Sequence, residues 1–186
     1  MRNIQNFLKL CFFILTLIFI GCRTSSKING GVVSAMPYAS EVGVKILKKG
    51  GNAYDAMVAT NFALAVVYPV AGNITGGGFF VYRNTDGSTG TLDYREQAPE
   101  NAHKDMYLDE SGNVIPDKST VGGLAVGVPG TLAGTLEIHK KLGTMPLCEL
   151  IQPAIDLEEN GYAVTEKQAR SFKKYRKQKE QEMGSD

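Results

Sequence analysis

The chain has 186 residues, enough to bury one core once its N-terminal segment is set aside. Twenty Lys+Arg against nineteen Asp+Glu give a net charge of +1, with 43% hydrophobic residues and 21 glycines. That balance argues against a nucleic-acid binder and excludes a disordered chain, and the three cysteines (Cys11, Cys22, Cys148) form no CxxC that would indicate zinc or a redox dithiol.

The N-terminus reads as an address. Arg2 and Lys9 flank the start of the apolar run LCFFILTLIFIG, residues 10–21, too short to span a bilayer comfortably. It runs into Cys22 after a small residue, which resembles a bacterial lipoprotein signal, with Phe19 where the usual pattern has leucine. Export is expected, to the periplasm or cell surface, with acylation at Cys22 and a lipid anchor in the membrane. The competing readings are an ordinary signal peptide or an uncleaved anchor. Residues 1–22 are thus a signal or anchor, 23–29 a polar linker, and 30–186 the folded part. Cys11 lies inside the apolar run, so a mature chain keeps Cys148 as its free thiol and no intramolecular disulfide is expected.

GGVVSAM, residues 30–36, is β-branched and predicts a first strand. ASEVGVKILKKGG then predicts a helix with Val42, Ile46 and Leu47 on one face, stopped by Gly50 and Gly51. Asn52 can cap the next helix, with Asp55 bonding back as in a capping box. AYDAMVATNFALAVVY is apolar almost all round, the pattern of a buried helix. After Gly76–Gly78, strands over 79–83 and 91–95 predict a hairpin with its turn in NTDGSTG. Residues 97–122 read as loop. A helix is expected from Pro129 to Gly143, another from Thr144 and Pro146 to Gly161 with Pro153 kinking or splitting it, and a last one capped by Thr165. From Lys173 to Glu182 that last helix is charged almost everywhere, with no core-facing stripe. Helix pairs alternating with a hairpin predict an α+β or α/β arrangement around a sheet.

Little in these residues carries visible catalysis. The glycine run follows a helix and precedes a strand, the reverse of a phosphate loop, so its glycines are expected to allow close backbone packing or positive-φ turns. His103 and His139 lack metal-ligand spacing, and neither a metal nor a cofactor is expected. Asp109 and Glu110 belong to a turn. Ser34, Ser40 and Thr75 carry hydroxyls without a GxSxG or SxxK context. The informative stretch is TLDYREQAP, residues 91–99, where Arg95 stands between Asp93 and Glu96 at a strand end. Two readings stay open on the residues alone: a structural ion pair, or a bidentate receptor for a substrate carboxylate.

Three long stretches decide more. They are ASEVGVKILKKGGNAYDAMVATNFALAVVYPVAGNITGGGFFVYR, DYREQAP, and GGLAVGVPGTLAGTLEIHKKLGTMPLCELIQPAIDLEENGY. Together, over about residues 30–170, the chain resembles the N-terminal part of the large subunit of the gamma-glutamyltranspeptidase (glutathione hydrolase) precursor. Thr75 departs from the family pattern, which has another glycine there. The resemblance implies a partial N-terminal nucleophile hydrolase fold, an αββα layered sandwich in truncated form. It implies that Arg95 binds the α-carboxylate of glutathione or another γ-glutamyl compound, with Asp93 and Glu96 steadying the fork. It further implies a partner, the small subunit of the same precursor. In the family that subunit supplies the N-terminal threonine nucleophile with its α-amino base, the oxyanion donors and the groups for the substrate amine. None of these is reached by Asp186, so the chain is expected to be inactive alone. The alternative is a non-enzymatic, membrane-anchored binder of an amino acid or peptide.

Overall fold

A computed structural model describes residues 30–72 and 74–183. The expectations for residues 1–22, Cys22 included, and for the 23–29 linker lie outside the described residues.

The order is α1 (Pro37–Lys48), α2 (Ala53–Val67), β1 (Phe79–Arg83), β2 (Thr89–Asp93), α3 (Thr131–Leu142), α4 (Leu147–Asn160) and α5 (Glu166–Met183), with one 3-10 turn at Gly123–Ala125. The class is α+β. Among the described residues the sheet has two antiparallel strands, in the register Phe79↔Asp93 to Arg83↔Thr89.

α1 starts at a proline in its first turn, where the missing N–H costs nothing. Its apolar stripe, Ala39, Val42 and Ile46, is buried against α2. α2 is the hub. Ala56, Val58, Ala59, Ala63 and Val67 are all buried, as expected for a helix apolar on every side. Leu150 of α4 closes the same core, and Ile138 of α3 is also buried. Fully burying residues the size of Ile46, Val58 or Leu150 contributes roughly 1.5–3 kcal/mol each. α4 runs unbroken through Pro153, so the proline does not split it.

The ends of α2 are tied to distant segments. At its start Asn52 accepts from the amides of Tyr54 and Asp55, and Asp55 accepts in return from Asn52, so the expected capping box forms. Asp55 then reaches across to the start of α4. It accepts from the Thr144 hydroxyl at 2.6 Å and amide at 2.9 Å, and from the Met145 amide at 3.3 Å. Burial pushes this carboxyl's pKa up, but the bonds from Thr144, Asn52 and Met145 outweigh it and leave the pKa below the usual value. At the other end, Tyr162 donates to the Val66 carbonyl (3.3 Å) and Gln168 to the Val67 carbonyl (2.8 Å). Thr165 caps α5 as expected, accepting from the Gln168 amide.

Two strand expectations need correction. Residues 30–36 are not a strand, because no neighbouring chain among the described residues pairs with them, and Val33 is 98% exposed. The second hairpin strand covers Thr89–Asp93 rather than 91–95, because Asp93 ends it by accepting the Arg95 amide on its side chain. The hairpin packs Phe80 and Tyr82 against Tyr54 of α2, with ring centroids 6.0 and 5.7 Å away. Its other face stays open: Phe79 is 64% and Val81 75% exposed. Among the described residues neither outer strand edge is paired, which agrees with the partial sheet the family resemblance implies.

Candidate functional site

The chain leaving β2 runs beside two other backbone segments. The Tyr94 amide donates to the Gly78 carbonyl at 3.0 Å. Gln97 and Val128 exchange both amide bonds at 3.1 and 2.8 Å. The Gly76 carbonyl accepts from the Gly130 and Thr131 amides at the start of α3, both at 2.9 Å. Segments 76–78, 94–97 and 128–131 are thereby locked side by side.

Glycine makes this approach possible. A Cβ on Gly77 would stand 2.7 Å from the Arg95 Cα, and one on Gly78 2.8 Å from the Tyr94 ring. On Gly130 it would meet the Tyr94 carbonyl carbon at 2.8 Å, and on Gly134 the Tyr94 ring at 2.6 Å. These are distances real side chains do not tolerate. The glycine run therefore serves close backbone packing, and neither Gly77 nor Gly78 has a positive φ. Tyr94 is clamped between that run and the first turns of α3, and burial raises the pKa of its phenol.

Arg95, next in the chain, points the other way. Its side chain is 63% exposed and lines a cleft of about 660 Å³ together with Glu96, Pro129, Gly130, Ala133 and Glu137. The guanidinium lies 5.9 Å from the Phe79 ring, within cation–π range. Its acid contact among the described residues is Glu96 at 3.8 Å, longer than a hydrogen bond. Asp93, expected to steady the fork, instead binds the Arg95 amide at 3.0 Å. Glu137, across the cleft, is taken up by Lys141 at 3.0 Å, whose hydrogen bond and charge hold its pKa low. The arrangement can present a fixed cation with unspent donors to an anion entering the cleft.

The other singled-out residues do not join this site. Ser34 is paired with Ser40 at 2.8 Å and donates to the Met36 carbonyl, with no base beside it. His139 bonds the Met145 carbonyl at 2.8 Å, a structural tie between α3 and the start of α4. Asp109 accepts the Ser111 and Asn113 amides in a surface turn, as expected. Cys148 is a free, exposed thiol, and no metal-competent group of side chains occurs among the described residues. Sequence reasoning missed Tyr94 and the Gly130–Gly134 pair. The available hint was the four-residue glycine spacing at a helix start, which leaves a slot for a large side chain.

Comparison with known proteins gives one consistent result. The family model for Gamma-glutamyltranspeptidase matches residues 39–185. The chain is 54% identical over 136 residues to a glutathione hydrolase proenzyme of Pseudomonas sp. (strain A14), covering 73% of this chain and 24% of that protein. It is 48% identical over 147 residues to the glutathione hydrolase proenzyme of Escherichia coli (strain K12), covering 79% of this chain and 25% of that one. Among solved structures, it superposes on Helicobacter pylori gamma-glutamyltranspeptidase with a TM-score of 0.77 at 53% identity, covering 82% of this chain and 43% of that chain. The chain thus spans about a quarter of the length of the curated relatives it matches.

Proposed function

The chain belongs to the gamma-glutamyltranspeptidase family, and from that premise we propose that it provides the carboxylate-binding wall of an enzyme that hydrolyses or transfers the γ-glutamyl group of glutathione or a similar donor. Arg95 is the residue that binds the donor's α-carboxylate. The observation that carries this reading is the underused guanidinium. It is exposed in a cleft, 5.9 Å from the Phe79 ring and 3.8 Å from its nearest acid. A charge-assisted bidentate contact there is worth roughly 1.5–3 kcal/mol, enough to orient a substrate.

No nucleophile is assigned within residues 30–183. In this reading the attacking threonine and the oxyanion donors come from a partner portion of the family's fold, and the 186 residues alone release no glutamate. Export with acylation at Cys22 belongs to the same reading; alkynyl fatty-acid labelling that is equal in wild type and Cys22→Ala would remove it.

The test of the catalytic reading is a hybrid. Residues 39–185 of this chain replace the matching stretch of the Escherichia coli proenzyme, and glutathione hydrolysis is followed. Arg95→Lys keeps the charge and loses the fork, so KM should rise about tenfold, with kcat falling as well if part of the contact forms only in the transition state. Self-processing should survive, since it involves no free α-carboxylate. An active, processed Arg95→Ala hybrid with unchanged kcat/KM would reduce Arg95 to a structural role.

A further inference from the structure

The near-zero net charge conceals a segregation. Between Lys167 and Lys179 the chain carries seven of its twenty basic residues and no acid, leaving thirteen basic against nineteen acidic elsewhere. All of that segment lies on α5. Among the described side chains the helix docks by its first turns: Gln168 is buried against the end of α2, and Phe172 is half-buried. Arg170, Lys173, Lys174 and Lys177 follow at helical spacing and form one stripe on the side away from Gln168. All four are exposed, and with Arg176 they line a shallow depression. The nearest acids do not neutralise the stripe. Glu166 holds Arg170 only at 3.7 Å, and Glu180 pairs with Arg176 to one side.

We propose that this face of α5 docks on an anionic lipid surface. Burying so many cations against protein would demand a matching set of acids, which the described residues do not offer. A flat array of phosphate headgroups satisfies the stripe without a shaped pocket. A membrane is favoured over a polynucleotide because, on the export reading proposed above, the apolar run over residues 10–21 brings the chain to a bilayer, and because the rest of the sequence is net negative with no groove-reading element among the described residues. Each basic residue near an anionic surface adds roughly fivefold to partitioning, an effect screened within about 10 Å at 0.1 M salt.

The experiment is co-sedimentation of the full chain with vesicles of phosphatidylcholine alone or mixed with phosphatidylglycerol. The apolar N-terminus can associate with both, so the readout is the ratio between them. The mixed vesicles should bind at least about tenfold more chain, and the excess should vanish as salt rises toward about 0.5 M. Replacing Arg170, Lys173, Lys174 and Lys177 by glutamine should abolish the excess with an unchanged thermal melt. The same change at Lys45, Lys48, Lys49 and Lys140 should preserve it. Equal binding to the two vesicle types, an excess that survives the α5 substitutions, or displacement from the vesicles by duplex DNA at equal charge concentration would each overturn the proposal.

Discussion

Asp55 and Thr144, 89 residues apart, are joined by two bonds to one buried carboxylate: the Thr144 hydroxyl at 2.6 Å and the Thr144 amide at 2.9 Å. The same group closes the capping box of α2, so a single side chain sets both the start of the hub helix and the approach to α4.

Asp55→Ala should therefore cost about 3 kcal/mol. That exceeds an ordinary lost cap, because the amides of Asn52, Thr144 and Met145 lose their acceptor together. Thr144→Ala removes one neutral partner of the same carboxylate and should cost about 1 kcal/mol. Urea denaturation midpoints with unchanged slopes would measure both.

The same carboxylate gives a pH dependence of defined sign. Its folded pKa is depressed, so its contribution is fully present above the unfolded value of about 3.9 and is lost as pH falls through the lower folded value. Stability should decline below about pH 4, and less steeply in Asp55→Asn, which cannot titrate. Identical acid limbs in the two proteins would show that other carboxylates set the transition.

Gly134→Ala should destabilise by roughly 1–3 kcal/mol, since its methyl would enter the Tyr94 ring. Gly31→Ala, with open space around the added carbon, should stay within about 0.5 kcal/mol. A thermal shift of the same size in both would argue against the clamp.

Arg95→Ala should leave folding stability within about 0.5 kcal/mol of wild type, because an exposed side chain with a 3.8 Å ion pair stabilises little. A large loss would mean that the guanidinium holds the fold rather than faces a ligand.

The open hairpin face makes self-association the expected fate of isolated chain. Val81→Lys, on the exposed face, should lower light scattering of residues 30–186 without changing the helical signal.

Helices were legible because punctuation and periodicity are local. Pro37, Gly50, Asn52, Gly143 and Gly161 lie within two residues of the observed helix ends. The strand expected over 30–36 failed for a non-local reason. β-branching in Val32 and Val33 favours extended backbone, but a strand needs a hydrogen-bonding neighbour, which no residue of that segment encodes. The second hairpin strand was misplaced by two residues because Asp93 competes for a backbone amide that sequence alternation assigns to the ladder. Arg95 could be singled out from its charge neighbours, whereas its two readings were separable only through the motif it shares with a family. The seat of Tyr94 was hidden, because it depends on glycines brought together from the loop before β1 and the start of α3.

The carbonyls of Val66 and Val67 find their partners in Tyr162 and Gln168, 96 and 101 residues later. A ribosome adding about 5–20 residues per second needs roughly 5–20 s to deliver those partners. Throughout that interval the hub helix has an unfinished end, and its apolar sides lack α4. A helix made in the first half of the chain is thus among the last parts of the core to be completed. A nascent chain halted before Gln168 should remain protease-sensitive within α2 even though every residue of that helix has long emerged.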